Sequence, residues 1–123
     1  MRPARVVEAP APAPPDAFQE ARLRALRQAF VGLAARWALS GSEALELLGE
    51  PRACAEERHE RLCLLVSVHR LMLLAWPEPG RCQAELRRAS PALDGAAPLP
   101  LMLAEGPRAM ERVRDHLVRP TRS

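Results

Sequence analysis

The chain has 123 residues, of which 48% are hydrophobic and 27% charged, and its formal net charge is +3. This is one domain with at most a tail and a core of modest size. A charge excess this small does not by itself name nucleic acid as a partner, and no apolar run approaches the ~20 residues a membrane helix requires.

Leu and Ala carry most of the hydrophobic content, Ile and Tyr are absent, and all 18 basic residues are Arg. Leu and Ala are strong helix formers, so the expected fold class is all-α. Cys54, Cys63 and Cys82 are an odd number with no C-x-x-C pair, which fits a reduced, cytoplasmic setting better than a disulfide framework. Arg2 and Arg5 are not followed by an apolar segment, so no secretory signal is read at the start.

Residues 1–15 hold prolines at 3, 10, 12, 14 and 15 among alanines and read as a disordered tail. Asp16 is placed to cap a helix from about 17 to 38, in which Phe18, Leu23, Leu26, Phe30, Leu33 and Trp37 form the apolar face. Arg22, Arg24, Arg27 and Arg36 lie on the other side. Such a set can touch phosphates, although a solvated helix face is the commoner explanation.

Ser40 and Glu43 have the spacing of a capping box, and Gly49 supplies the left-handed end of a short helix whose apolar side is Ala44, Leu45, Leu47 and Leu48. Glu50 to Arg61, EPRACAEERHER, has four acids against three arginines. Beyond it, RLCLLVSVHRLMLLAW interrupts its apolar run only at Ser67, His69 and Arg70, the pattern of a central helix. Its expected core residues are Leu62, Leu65, Val66, Met72, Leu73 and Trp76, packed against Leu26, Phe30 and Leu48. Part of it is left for a second copy or a partner, because so short a chain has few helices to cover it. Pro77-Glu78-Pro79-Gly80 ends it, and residues 81–89 form a short helix.

From Ser90 the chain reads SPALDGAAPLPLMLAEGPRAMERVRDHL. Asp94-Gly95 sets a turn, Pro98 suits the first turn of a helix with Leu99, Met102 and Leu103 on one side, and Gly106-Pro107 interrupts that helix. Pro107 opens a second helix with Met110, Val113 and Leu117 on one face. Two helices this short cannot be stable alone and must dock on something.

The ordered run Ser90-Pro91-x-Leu93-x-Gly95-x-x-Pro98-Leu99-x-Leu101-Met102, then Glu105-Gly106, Val113 and Leu117, resembles the C-terminal toxin-binding segment of the Xre/MbcA/ParS family of antitoxins. That family usually has Asn where this chain has Ser90. A long helix ending in Trp37, followed by Leu39-Ser40 and Glu43-Ala44-x-x-Leu47-Leu48-Gly49, resembles the opening of the same family's helix-turn-helix module. The resemblance implies a helix-turn-helix-like bundle over residues 16–79 and a toxin-binding helical segment over 80–119.

It further implies an antitoxin of a type II toxin–antitoxin system that binds and blocks the active site of a cognate RES-domain, NAD-degrading toxin, as a homo-oligomer or as a hetero-oligomer with the toxin. On this reading Pro91, Leu93, Gly95, Pro98 and Leu99 shape a hook held out for the toxin, and Met102, Arg108 and Arg112 present to it. Guanidinium groups suit a cleft built for an anionic dinucleotide.

The acidic 50–61 stretch is where a recognition helix is expected, and it repels phosphates. DNA contact is therefore expected to be weak or absent, with Arg22, Arg27 and Arg52 the candidates if it occurs. The alternative function is a helix-turn-helix regulator that binds operator DNA.

Other chemistry finds little support. Cys54, His59 and Cys63 lack a fourth ligand, so no metal is expected. His69 reads as a core or interface group, and His116 lies near a helix end, where the helix dipole favours a cation. No glycine-rich phosphate loop and no placeable nucleophile–base pair occurs, so no enzyme activity, catalytic residue or cofactor is inferred.

Overall fold

The computed structural model describes residues 15–118. The element order is α1 (Pro15–Arg36), α2 (Gly41–Leu48), α3 (Ala55–Ala75), α4 (Pro79–Leu86), a 3-10 turn (Pro91–Leu93), α5 (Pro98–Glu105) and α6 (Pro107–Val118). The fold is all-α, and the one β feature among the described residues is an isolated bridge between Ser90 and Ala96. Residues 1–14 of the expected tail, and residue 119 at the far boundary, lie outside the described residues.

Helix α1 starts earlier than its pattern suggested. Pro15 is its first residue, a position where the missing amide hydrogen costs nothing, so Asp16 stands inside the first turn and not ahead of it. The apolar face runs from Leu23 and Leu26 through Phe30 and Leu33 to Trp37. Phe18 does not belong to that face and is 70% exposed. It stands five residues before Leu23, a step that swings it well off a stripe built from threes and fours. The helix stops at Arg36 because Ala38 turns left-handed at φ 58, which lets Leu39 N–H donate to Ala34 O at 3.0 Å.

Helix α2 is closed at both ends as its sequence specifies. Glu43 N–H donates to Ser40 Oγ at 3.1 Å while Ser40 N–H donates to the Glu43 carboxylate at 2.9 Å. Gly49 ends it at φ 84.

Helix α3 is a single unbroken rod of 21 residues and the centre of the molecule. The acids Glu56 and Glu57 sit in its first turn, where the helix dipole favours them, so the stretch expected to hold recognition-helix residues is the start of the core helix itself. Leu62, Leu64, Leu65, Val66, Val68 and Met72 are buried, each contributing roughly 1.5–3 kcal/mol before entropy is counted. Trp76 is half-buried against the cluster, whereas Leu73 and Leu74 face solvent, Leu74 at 81%. Arg70 marks the outer side one turn before Leu74, but no polar residue follows it to show where this helix runs out of cover.

Helix α6 covers α3 more extensively than any other element does. The two run in the same direction: the Arg61 side chain reaches Gly106, just ahead of α6, while Met72 and Trp76 meet Val113 and Leu117 near both C-terminal ends. One apolar cluster therefore joins Phe30, Leu33 and Trp37 of the N-terminal part to Leu93, Leu99, Met102, Met110 and Val113 of the C-terminal segment.

This corrects the expectation of a hook held away from the body. The segment's apolar side is the cover of α3, and its burial is found within its own chain.

Arg61 ties the parts together. Its side chain is only 14% exposed and pairs with Glu57 across one helical turn at 2.8 Å. It also donates to Leu47 O at 3.1 Å, satisfying a carbonyl that α2 leaves open at its end. A Cβ on Gly106 would stand 2.8 Å from the same guanidinium, and one on Gly49 would stand 2.9 Å from its Nε. Both glycines have positive φ. The arginine thus fills a space that two side-chain-free turns leave open.

Candidate protein-docking site

The Ser90–Gly106 segment is built by its prolines and glycines. Pro91 opens the 3-10 turn, and Asp94 and Gly95 are both left-handed, at φ 59 and 84. The chain then returns so that Ser90 N–H donates to Ala96 O at 3.0 Å, and Gly95 N–H donates to Ser90 O at 2.9 Å. Pro98 begins α5, and Gly106 ends it at φ 71, ψ −140, a conformation essentially reserved for glycine.

The eight residues named as the segment's contact set divide sharply. Leu93, Pro98 and Leu99 are buried and shape the hairpin from inside. Met102 is 0% exposed, so its expected role of presenting to a partner is corrected: at three residues from Leu99 it shares that residue's inward side. Pro91, Gly95 and Arg108 are exposed. Arg112 is half-buried and pairs with Asp94 at 3.1 Å, tying α6 to the turn. Asp94 is almost wholly in water, so the pair contributes little stability.

Five residues of the pattern, Ser90, Pro91, Pro98, Val113 and Leu117, converge on one surface groove of about 200 Å³. Met72 and Trp76 from the end of α3 form its floor and wall with them, and Arg88 and His116 stand at its edge. Glu85 Oε2 pairs at 3.0 Å with Arg88 at this edge and with Arg81 outside the groove, so the edge itself carries one carboxylate against one guanidinium. The groove joins an apolar floor to a polar, ion-paired rim, an arrangement suited to a side chain or backbone of another protein. The sequence reads Met72 and Trp76 as core residues and does not single out Arg88, so none of the three is expected at a groove. Their only signal was the end of α3, where an apolar run meets Pro77.

The candidate DNA contacts are not brought together. Arg22 and Arg27 are five residues apart on α1, about 140° around the helix, and so do not face one duplex. Arg52 sits in the turn after α2, beside a cleft shared with Glu46, Glu50, Glu57 and Glu105.

Cys63 Sγ lies 3.6 Å from His59 Nε2, but Cys54 is exposed and contacts Glu56 instead. Among the described residues no group of three or more His, Cys, Asp or Glu is placed to hold a metal ion, and no helix is long and apolar enough to cross a membrane.

Where α1, α3 and α4 meet, Gln83 Nε2 donates to Arg36 O at 3.0 Å and Arg87 donates to Ala38 O at 3.2 Å, closing the end of α1 from outside. The Arg36 guanidinium donates to Pro77 O. Burial, with the nearby Arg36 and Arg70 charges, holds the His69 imidazole below its usual pKa, and burial pushes the Cys82 thiol up against a smaller opposing pull from Arg36. His69 packs edge-on to Trp37, with ring centres 6.3 Å apart.

Comparison with protein-family models, with curated proteins and with solved structures finds no match for this chain.

Proposed function

We propose that this protein is an antitoxin whose C-terminal segment docks on a cognate RES-domain toxin and obstructs its NAD-degrading active site. One observation carries the reading. The residues that resemble the antitoxin pattern are scattered over 28 positions of sequence, yet five of them surround a single groove edged by the Glu85–Arg88 ion pair. Of the five, Ser90, Pro91 and Leu117 reach water there, which folding alone does not require, while Pro98 and Val113 support them from inside.

The docking surface consists of the groove, the exposed Pro91–Gly95 turn and Arg108 at the start of α6. The rigid turn is already ordered, so binding costs little conformational entropy. Arg108 has no ion-pair partner among the described residues and is available to a carboxylate of the toxin.

The test is co-expression with the product of the adjacent reading frame, reading growth and cellular NAD. Truncation before Ser90 is unsuitable, because it removes α6 and uncovers α3. A Pro91→Glu, Arg108→Glu double variant keeps the core intact, which circular dichroism verifies. Wild type is expected to restore growth and NAD, and the double variant to lose both. Neutralisation by the folded double variant at wild-type level rules out this surface. Failure of wild type to neutralise its neighbour's product rules out the function.

A further inference from the structure

The exposed side of α1 carries a pattern that the folded chain does not use. Ala17 to Arg22 are all exposed, so the first turns of the longest helix lack the burial that normally sustains a helix. Along one side of it, Glu20, Arg24, Arg27 and Val31 recur at steps of four, three and four, which places them in a single stripe. None of these three charged groups has a hydrogen-bond or ion-pair partner among the described residues. Val31, at 69% exposure, is an apolar side chain left in water. The stripe is acidic at its N-terminal end and basic toward its middle.

Such a stripe complements itself. When a second copy of α1 is laid antiparallel on the first, with the two-fold axis near Leu23, Glu20 of each helix falls at the height of position 26 of the other, between Arg24 and Arg27. Two acids meet four arginines in a symmetric set, in which each acid lies between two arginines of the other copy while the two Arg24 side chains face each other near the axis. A parallel arrangement would set like charge against like.

We propose that the Glu20–Val31 stripe of α1 is a self-association surface, on which a second copy of this chain packs antiparallel with Glu20 set between Arg24 and Arg27 of that copy. The surface is separate from the groove at the ends of α3 and α6, so the proposal stands or falls independently of what that groove binds. One helix face is smaller than the ~1,200 Å² of a stable interface, and association therefore depends on concentration and salt.

The experiment is sedimentation equilibrium of the full chain, with helicity followed by circular dichroism. Wild type is expected to shift from monomer to dimer with rising concentration and to revert in about 1 M salt. Glu20→Arg makes the stripe wholly basic, and Arg24→Glu with Arg27→Glu makes it wholly acidic. Each variant alone should weaken the dimer about tenfold or more, and mixing the two should restore it as a heterodimer. The chain carrying all three substitutions should dimerise like wild type. The proposal is overturned by a wild type that stays monomeric to millimolar concentration, by a dimer indifferent to either reversal, or by an equimolar mixture that stays monomeric.

Discussion

Helix α1 is the longest in the molecule at 22 residues, and α5 is among the shortest at 8, yet burial runs the other way. Half of α5 is inside the core: Pro98, Leu99, Leu101 and Met102 all lie out of water. The first turns of α1 touch almost nothing. The contrast shows that a helix is held by how its apolar steps match a neighbour and not by its length. A short segment bounded by Pro98 and Gly106 is pinned in place, while the longer one projects from the point where its stripe of threes and fours ends.

The strongest challenge to this contrast is a pair of truncations. Met102→Ala is expected to cost about 2–5 kcal/mol, because it empties a site from which water is excluded. Phe18→Ala should change stability by no more than about 0.5 kcal/mol. Urea unfolding of both variants measures this directly, and equal losses would erase the distinction between the two regions.

A smaller effect is expected at the end of α5. Gly106→Ala forces a side chain into a glycine conformation and against Arg61, at a cost of about 1–3 kcal/mol. Arg61→Ala made together with Gly106→Ala separates the two causes, since it removes the collision and leaves the backbone strain.

Smaller still, and opposite in sign, is Ala38→Gly. The left-handed Ala38 that stops α1 is exposed and has a Cβ it would be better without, so glycine there should raise stability by about 1 kcal/mol. A raised thermal midpoint would sharpen the comparison by showing that the anchored end of α1 also carries strain.

The least effect is expected from pH. His69 is held below its usual value of 6.5 in the folded chain, so the unfolded chain takes up the proton first, and stability falls as pH drops below about that value. The fall in unfolding midpoint between pH 7.5 and 5 should be smaller in His69→Gln than in wild type. An unchanged fall would remove His69 from the seam that anchors α1.

Much of this fold could be read before any coordinates, and for local reasons. The capping box at Ser40 and Glu43, the left-handed Gly49, the turn at Asp94-Gly95 and the two helix starts at Pro98 and Pro107 are all set by neighbours within a few positions. What escaped depends on partners distant in sequence. Leu99, Met102 and Leu103 gave α5 an apolar side without saying whether α3 or solvent would meet it. The near-continuous apolar run of α3 concealed that Leu74 is outside and Val68 inside. The groove escaped because Trp76, Pro91 and Leu117 meet only through the shared direction of α3 and α6. Arg61 was hidden in a charged run, where nothing local distinguishes a buried arginine from a solvated one.

That arginine has a consequence for how the molecule comes apart. Its guanidinium is held between the last turn of α2 and the junction of α5 with α6, so neither turn can open without uncovering the other. Amide protons at the end of α2 and around Gly106 should then exchange with deuterium at matching rates, opening and closing as one cooperative unit although more than fifty residues of chain separate them.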